Sequence, residues 1–511
     1  MTEIAEKKKR FSKKEWSWIM YDWANSVYAT NIMAAIFPTI FVAIAGNAGD
    51  IWWGYATSIA TFIVAILAPF LGALADFKGM KKKLFTVFML AGVVFTALIA
   101  ATNDWRIMLV GYVISRIGFA ASNLFYDSFL TDVTDNERMD KVSSWGYAMG
   151  YIGGSTIPFV ISIVMLLVLG YGSVFAQKFS VVITSVWWIV FSIPFLKNVQ
   201  QEHYVEKAQG SFITNTFRNT WNTAKEIFKR KGLFLFILAY FCYIDGVGTI
   251  INISTAYGSA LGLGSVGMIL ALLITQIVAM PCSIVFPRIA RKITARKALM
   301  GAIIVYTFIC VVGFYMGFSL EPHQEKYEQT LETEYTQKLS HIDDEVALTL
   351  MEESKTLFTD IKGHQKLLEK YNAMSEEDKL NPQVNEVIQA DISFLSHQDD
   401  VVYAYRSALS NSIFLFWLMA ILVGTVQGGI QAVSRSYFGK MIPKERSNEF
   451  FGFFDIFGKF ASVIGPFLYS LIAGWTGRSS YGVLCLIVLF IIGYLLLLFG
   501  KKYMDAEETT A

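Results

Sequence analysis

Apolar runs long enough to cross a hydrocarbon core, about 20 residues each, recur twelve times along this chain. They lie near 17–45, 51–76, 84–102, 106–131, 142–169, 179–196, 233–259, 264–287, 298–318, 408–439, 449–474 and 481–500. Lipid offers no partner for an unpaired backbone amide, so each run predicts a membrane-spanning helix. The pattern changes over 319–407. There, apolar residues return every three or four positions (Tyr327, Leu331, Tyr335, Leu339, Ile342), and Gly363 is the only glycine. That spacing predicts amphipathic helices, packed as a hairpin or small bundle between spans 9 and 10.

Composition agrees with the pattern. Of 511 residues, 54% are hydrophobic and 16% charged, with a mean hydropathy of +0.46. A soluble globular protein is not this apolar. A net charge of +2 gives no reason to expect a nucleic-acid partner. Cys242, Cys282, Cys310 and Cys485 all fall in apolar runs, so no disulfide framework is implied. Lys7 to Lys14 precede the first run, which is long and interrupted by polar residues. It reads as a retained span, not a cleaved signal peptide.

Charge predicts the orientation. With the N-terminus in the cytoplasm, cytoplasmic segments hold 29 Lys and Arg and the short outside loops hold three. The positive-inside rule then puts both termini in the cytoplasm, in the cell membrane if the cell is bacterial. Segment 319–407 carries 19 acidic against 8 basic residues and falls outside. It reads as a solvated decoration or as a site for a protein partner.

The two halves of the chain repeat. At a constant spacing of 308 residues Ser128 meets Ser436, Glu137 meets Glu445, Arg138 meets Arg446, Gly150 meets Gly458 and Pro158 meets Pro466. Earlier landmarks pair at shorter spacing, Lys14 with Lys231 and Pro69 with Pro281. The difference is the length of the acidic insert. The predicted fold is therefore an all-α membrane protein of twelve transmembrane helices in two pseudo-symmetric six-helix bundles, with a helical extracytoplasmic insert. Its parts are 1–196 (first bundle), 197–231 (cytoplasmic linker), 232–318 with 408–502 (second bundle), and 319–407 (insert).

Residues Gly72 to Lys83, GALADFKGMKKK, resemble the loop motif between helices 2 and 3 of the major facilitator superfamily. YDWANSVYAT (Tyr21 to Thr30), GYIGG (Gly150 to Gly154) and the stretch from Gln431 to Pro466 resemble that superfamily's vacuole-effluxer branch, linked to autophagy. The resemblance covers nearly all of the chain except 319–407. It implies alternating access through a cavity lined by helices 1, 4, 7 and 10, and for fungal members export of amino acids. It also implies that Asp76 pairs with helix ends when the cytoplasmic side is shut, with Gly72 and Gly79 allowing close packing and a tight turn. Glu137, Arg138, Glu445 and Arg446 occupy equivalent loops and would clasp neighbouring helices.

Seven ionisable residues lie inside the spans: Asp22, Arg116, Asp127, Asp245, Arg435, Asp455 and Lys459. Facing lipid at mid-membrane they would cost on the order of 20 kcal/mol together, so they must face a wet cavity or each other. Arg116, Asn123 and Asp127 share one stripe of span 4, and Gln427, Gln431 and Arg435 one stripe of span 10. At the repeat spacing Asn123 meets Gln431, and Asp127 meets Arg435 with opposite charge. This pair is either a gate between the halves or a solute contact. Asp22 and Asp245 have no obvious basic neighbour in sequence. Asp22 reads as a proton or substrate-amine site, or else as a residue reaching the cytoplasmic surface. Asn25, Ser26 and Tyr28 extend a wet face beside it. Asp455 and Lys459, four apart, suit a local pair.

A cavity offering both signs suits a small polar solute, a zwitterion or a small anion, with protons as coupling ion. No phosphate-binding loop is present, the five histidines lie outside the spans without metal-ligand spacing, and no nucleophile motif occurs. No cofactor, metal or enzymatic activity is expected. The lipid bilayer is the standing partner. The alternatives are an exporter of drugs or lipids, and a non-transporting receptor using the insert.

Overall fold

A computed structural model describes residues 10–46, 49–170, 173–206, 212–360, 362–397 and 399–510. The described residues are helical almost throughout, and the only β-type pairing among them is an isolated bridge between Phe77 and Val205. In the first half the helices are α1 (Lys13–Tyr28), α2 (Ile36–Ala45), α3 (Gly49–Ala75), α4 (Met80–Ile99), α5 (Trp105–Ser128), α6 (Asn136–Gly150), α7 (Ile157–Leu169) and α8 (Val174–Asn198). Linker helix α9 (Phe212–Lys229) leads to α10 (Lys231–Ala260), α11 (Ser265–Ile293) and α12 (Ala295–Leu331). The insert contributes α13 (Glu345–Leu357), α14 (Gly363–Ala373) and α15 (Pro382–His397). The chain then runs through α16 (Asp399–Lys440), α17 (Ser447–Thr476), α18 (Ser479–Phe499) and α19 (Lys501–Thr510).

Among the described residues eleven helices are long and apolar enough to cross a membrane. The first predicted span is segmented: α1 passes through a π-helical turn, Ala29–Ala35, into α2. A second π-helical turn, Tyr151–Thr156, joins α6 to α7. Helix starts follow local chemistry. Ser12 and Glu15 form a reciprocal capping box at α1, and Asp104 and Ser173 cap α5 and α8. Aliphatic and aromatic side chains such as Ile59, Phe62, Val87, Ile107, Phe175 and Val488 point outward. On a soluble protein they would be a liability, whereas here they meet acyl chains.

Two helices overrun their predicted ends. α12 continues to Leu331 and α16 starts at Asp399, well beyond the predicted span limits near 318 and 408. Neither overrun holds a glycine, and the one proline, Pro322, does not end α12. Loss of hydrophobicity does not by itself end a helix. The insert thus grows from two extended spans. Its core gathers Tyr335, Phe358, Leu367 and Phe394 around a buried carboxylate, Asp391, which accepts from the hydroxyls of Tyr335, Ser354 and Tyr371. Burial raises the Asp391 carboxyl above its ordinary range.

The halves meet along two helix pairs, α3 with α17 and α6 with α11, and α6 also packs on α16. The polar contacts between them cluster at the end of the spans that carries the basic loops.

Candidate functional site

Arg435, on α16, is the hub of the buried charges. Its Nη1 donates to Asp127 Oδ1 at 2.8 Å and its Nη2 to Asp22 Oδ2 at 3.5 Å. Nε donates to Ser143 Oγ at 2.9 Å and Nη2 to the Ser143 carbonyl at 3.0 Å. The guanidinium also lies over the rings of Trp18, Tyr126 and Tyr147, at 4.8, 5.5 and 4.6 Å. One cation is thus held by two carboxylates, a serine and three aromatic faces, all from the first half. Asp22 is therefore not the isolated carboxylate that its sequence neighbours suggest. Its partner is 413 residues away, beyond the reach of any local pattern.

Close packing places Asp22 there. A Cβ on Gly146 would fall 2.3 Å from Asp22 Oδ2, and one on Gly150 2.6 Å from Ser26 Oγ. The small-residue ridge of α6 lets α1 press against it. Tyr126 donates to Asp22 Oδ2 at 2.7 Å and stacks on Trp18 at 4.4 Å. Neither Tyr126 nor Ser143 is conspicuous in sequence, since a tyrosine or serine inside a span is unremarkable.

Asp127 is more open than Asp22, with side-chain exposures of 31% and 12%. It borders a cavity of about 170 Å³ between the halves, together with Tyr147, Tyr240, Gln431, Arg435 and Phe454. Asn25 reaches Asn123 at 2.6 Å across α1 and α5.

Four predicted cavity residues lie elsewhere. Tyr28 is fully buried among Phe119 and Trp188, and its oxygen accepts from Ser115. Arg116 turns toward Thr61 on α3, at 3.4 Å. Asp245 is buried against Gly465 of α17, and neither carboxylate oxygen meets a side-chain donor among the described residues. Gln427 lines a separate apolar cavity of about 110 Å³ between α10, α11, α12, α16 and α18. A helical stripe gives the angular side of a residue but not which neighbour occupies that side. Asp455 has partners, and the side chain of Lys459 lies outside the described residues.

The basic end is shut by two related latches. In the first, Asp76 at the end of α3 accepts from the Asn448 amide at 3.0 Å, its Nδ2 at 2.7 Å and the Glu449 amide at 2.9 Å. It caps the N-terminus of α17, where amides and helix dipole favour an anion. Gly72 makes room: a Cβ there would sit 2.4 Å from the Asn448 carbonyl oxygen. Gly79, at φ +72°, supplies the left-handed turn into α4. Ser128 donates to Asn448, and buried Lys81 pairs with Asp132 at 2.7 Å and donates to Ser447 at 3.1 Å.

In the second latch Ser436 donates to Asp140 at 2.6 Å, and Lys440 pairs with Asp140 at 2.7 Å. Of the four predicted loop charges, the two arginines reach neighbouring helices. Arg138 binds Glu15 on α1 at 2.7 Å, and Arg446 binds Glu226 on α9 at 2.7 Å. Glu445 is exposed, and Glu137 lines an open cleft beside Arg138. Burial would raise the Glu15 carboxyl, but Arg138, the Ser12 amide and Thr134 outweigh it and hold the group below its ordinary range.

Residues 51–327 and 411–507 match the family described as vacuole effluxer Atg22 like. An uncharacterized MFS-type transporter of Bacillus subtilis, YxiO, is 38% identical over 98% of this chain and 97% of its own length. Autophagy-related protein 22 of Cryptococcus neoformans (strain JEC21) is 21% identical over 69% of this chain and 48% of its own. Among solved structures, a bacterial homologue of the iron transporter ferroportin in an outward-facing state superposes with a TM-score of 0.55 at 13% identity, covering 96% of this chain and 98% of that one. The major facilitator proton:xylose symporter XylE gives 0.52 at 10% identity, over 96% and 94%. The structural likenesses speak for the fold alone. The family match and the Bacillus subtilis relative define the class: a multi-pass integral membrane protein, a transporter of the major facilitator type. Within that class the chain belongs to the Atg22-like vacuole effluxer family.

Proposed function

We propose that this protein is a secondary active transporter that moves a small polar solute, an amino acid fitting best, by alternating access coupled to protons. The observation that carries the reading is Arg435, one guanidinium held by Asp127 and Asp22 beside a cavity between the halves. Two carboxylates and one cation leave an excess negative charge that a proton or a solute ammonium would neutralise. A solute carboxylate would compete for Arg435. A zwitterion meets both needs at once.

The basic loops support a topology with the latched end and both termini in the cytoplasm and the insert outside, with 17–45 as the first of twelve spans. On that reading 1–196 and 232–318 with 408–502 are the moving bundles, joined by 197–231. The latches then describe the state shut toward the cytoplasm. A second reading, export of an apolar molecule, draws support from the apolar cavity that Gln427 lines.

The test is uptake into proteoliposomes under an imposed pH gradient, with labelled amino acids against a panel of apolar cations. Amino-acid uptake that collapses in Arg435→Gln supports the proposal. Transport of the apolar cations alone would overturn it in favour of the second reading.

A further inference from the structure

The two seams that close the basic end are related by the repeat, yet they carry opposite charge at the position of Asp76. At the α3–α17 seam, Asp76 caps α17. Counting from the repeated Pro69 and Pro281, the position equivalent to Asp76 is Arg288 on α11. The α6–α11 seam therefore gathers cations where its counterpart holds a carboxylate. Arg291 lines one cleft with Phe11, Arg138, Glu15 and Glu137, the Lys141 ammonium sits over the Phe11 ring, and Arg288 lies one turn before Arg291 within electrostatic reach of Lys141. Glu15 is already engaged by Arg138 through two hydrogen bonds. Arg288 and Arg291 are exposed and have no ion-pair partner among the described residues.

The same rim carries an apolar surface in register with these charges. Val285, Ile289 and Ile293 follow one another at every fourth position of α11, each more than 40% exposed. Arg288 and Lys292 each precede one of these isoleucines. Beside them Phe11 stacks on Trp16 and meets Trp145 edge-on, and the Lys141 ammonium sits 4.5 Å from the Phe11 ring centroid. Aromatic rings and exposed cations at the end of an aliphatic stripe mark the level of lipid headgroups.

We propose that the α6–α11 seam binds an anionic phospholipid. The phosphate lies among Lys141, Arg288 and Arg291, and an acyl chain follows Val285, Ile289 and Ile293. The phosphate meets Arg288 at the position where the other seam carries Asp76. Because the cations come from both halves, the headgroup draws the halves together and favours the closed latch. This inference does not depend on the identity of the solute.

The test is thermal unfolding of the purified full-length chain in neutral detergent. It is titrated separately with phosphatidylglycerol, phosphatidylcholine and inorganic phosphate. Phosphatidylglycerol alone should stabilise the protein. Arg288→Gln/Arg291→Gln should need about 30-fold more of it, at about one surface charge's worth of lipid attraction per arginine. Lys501→Gln/Lys502→Gln, a basic pair elsewhere, should respond like the wild type. Equal stabilisation by phosphatidylcholine, or by phosphate alone, would overturn the proposal, as would an unchanged response in the arginine variant. Should that variant fail to fold, native mass spectrometry of the wild type decides. Preferential retention of phosphatidylglycerol supports the site, and indifference to headgroup overturns it.

Discussion

The two latches that join the halves use the same positions with different charges. Ser128 donates to Asn448 in one, and Ser436 donates to Asp140 in the other. At the repeat spacing of 308, Ser128 corresponds to Ser436 and Asp140 to Asn448. The same spacing relates Asp132 to Lys440 and Asp127 to Arg435. Duplication has kept the geometry while charge has been inverted at two places and neutralised at a third. Had the copies stayed identical, like charges would face each other across the pseudo-twofold axis. Inversion turns that repulsion into pairing, and it leaves Arg435 available to first-half carboxylates.

The comparison predicts unequal consequences. Asp140→Ala should be the most damaging change, because it strands Lys440 in a buried site, at a cost of about 3–5 kcal/mol. Thermal unfolding should show the loss, and Asp140→Lys/Lys440→Asp should recover part of it. Equal damage in the single and reversed variants would show that the pair does not act as a pair. Gly72→Val comes next. A Cβ meets the Asn448 carbonyl, and overpacking of about 1–3 kcal/mol should shift the closed population by roughly 5–150-fold. Labelling of Ser447→Cys should rise accordingly; labelling unchanged by the valine would remove Gly72 from the latch. Asp76→Ala removes a helix cap across the seam and should cost about 0.5–2 kcal/mol, read by the same labelling. Smallest of all is Arg478→Ala. Its contact with Glu325, 3.9 Å and exposed, lies away from both seams and should be worth at most about 0.5 kcal/mol in the melting curve.

Much of this was legible in the chain. Apolar run lengths pointed to eleven helices that are long and apolar enough to cross a membrane, and the repeat paired Asp127 with Arg435, which the structure joins at 2.8 Å. The loop motif pointed to Asp76 and Gly72. What escaped was whatever depends on neighbours distant in sequence. Lys81 reads as one of a basic loop trio, yet it is fully buried against Asp132. Asp132 and Lys440 stand at repeat-equivalent positions with opposite charge, the same signal that exposed Asp127 and Arg435, and it could have drawn attention to both. Tyr28 and Arg116 sit on polar stripes but turn into the first half's own core and toward α3. Periodicity cannot distinguish those directions from a central cavity.

Arg435 is shared between Asp127 and Asp22 beside a cavity, and the proposed cycle has a proton or solute intervene there. Its most direct test compares solute exchange with pH-driven accumulation in proteoliposomes for wild type, Asp22→Asn and Asp127→Asn. Neutralising either carboxylate should leave exchange measurable while accumulation under a pH gradient falls about tenfold or more, equivalent to at least 1.4 kcal/mol of lost coupling. Accumulation and pH dependence unchanged in both variants would contradict it.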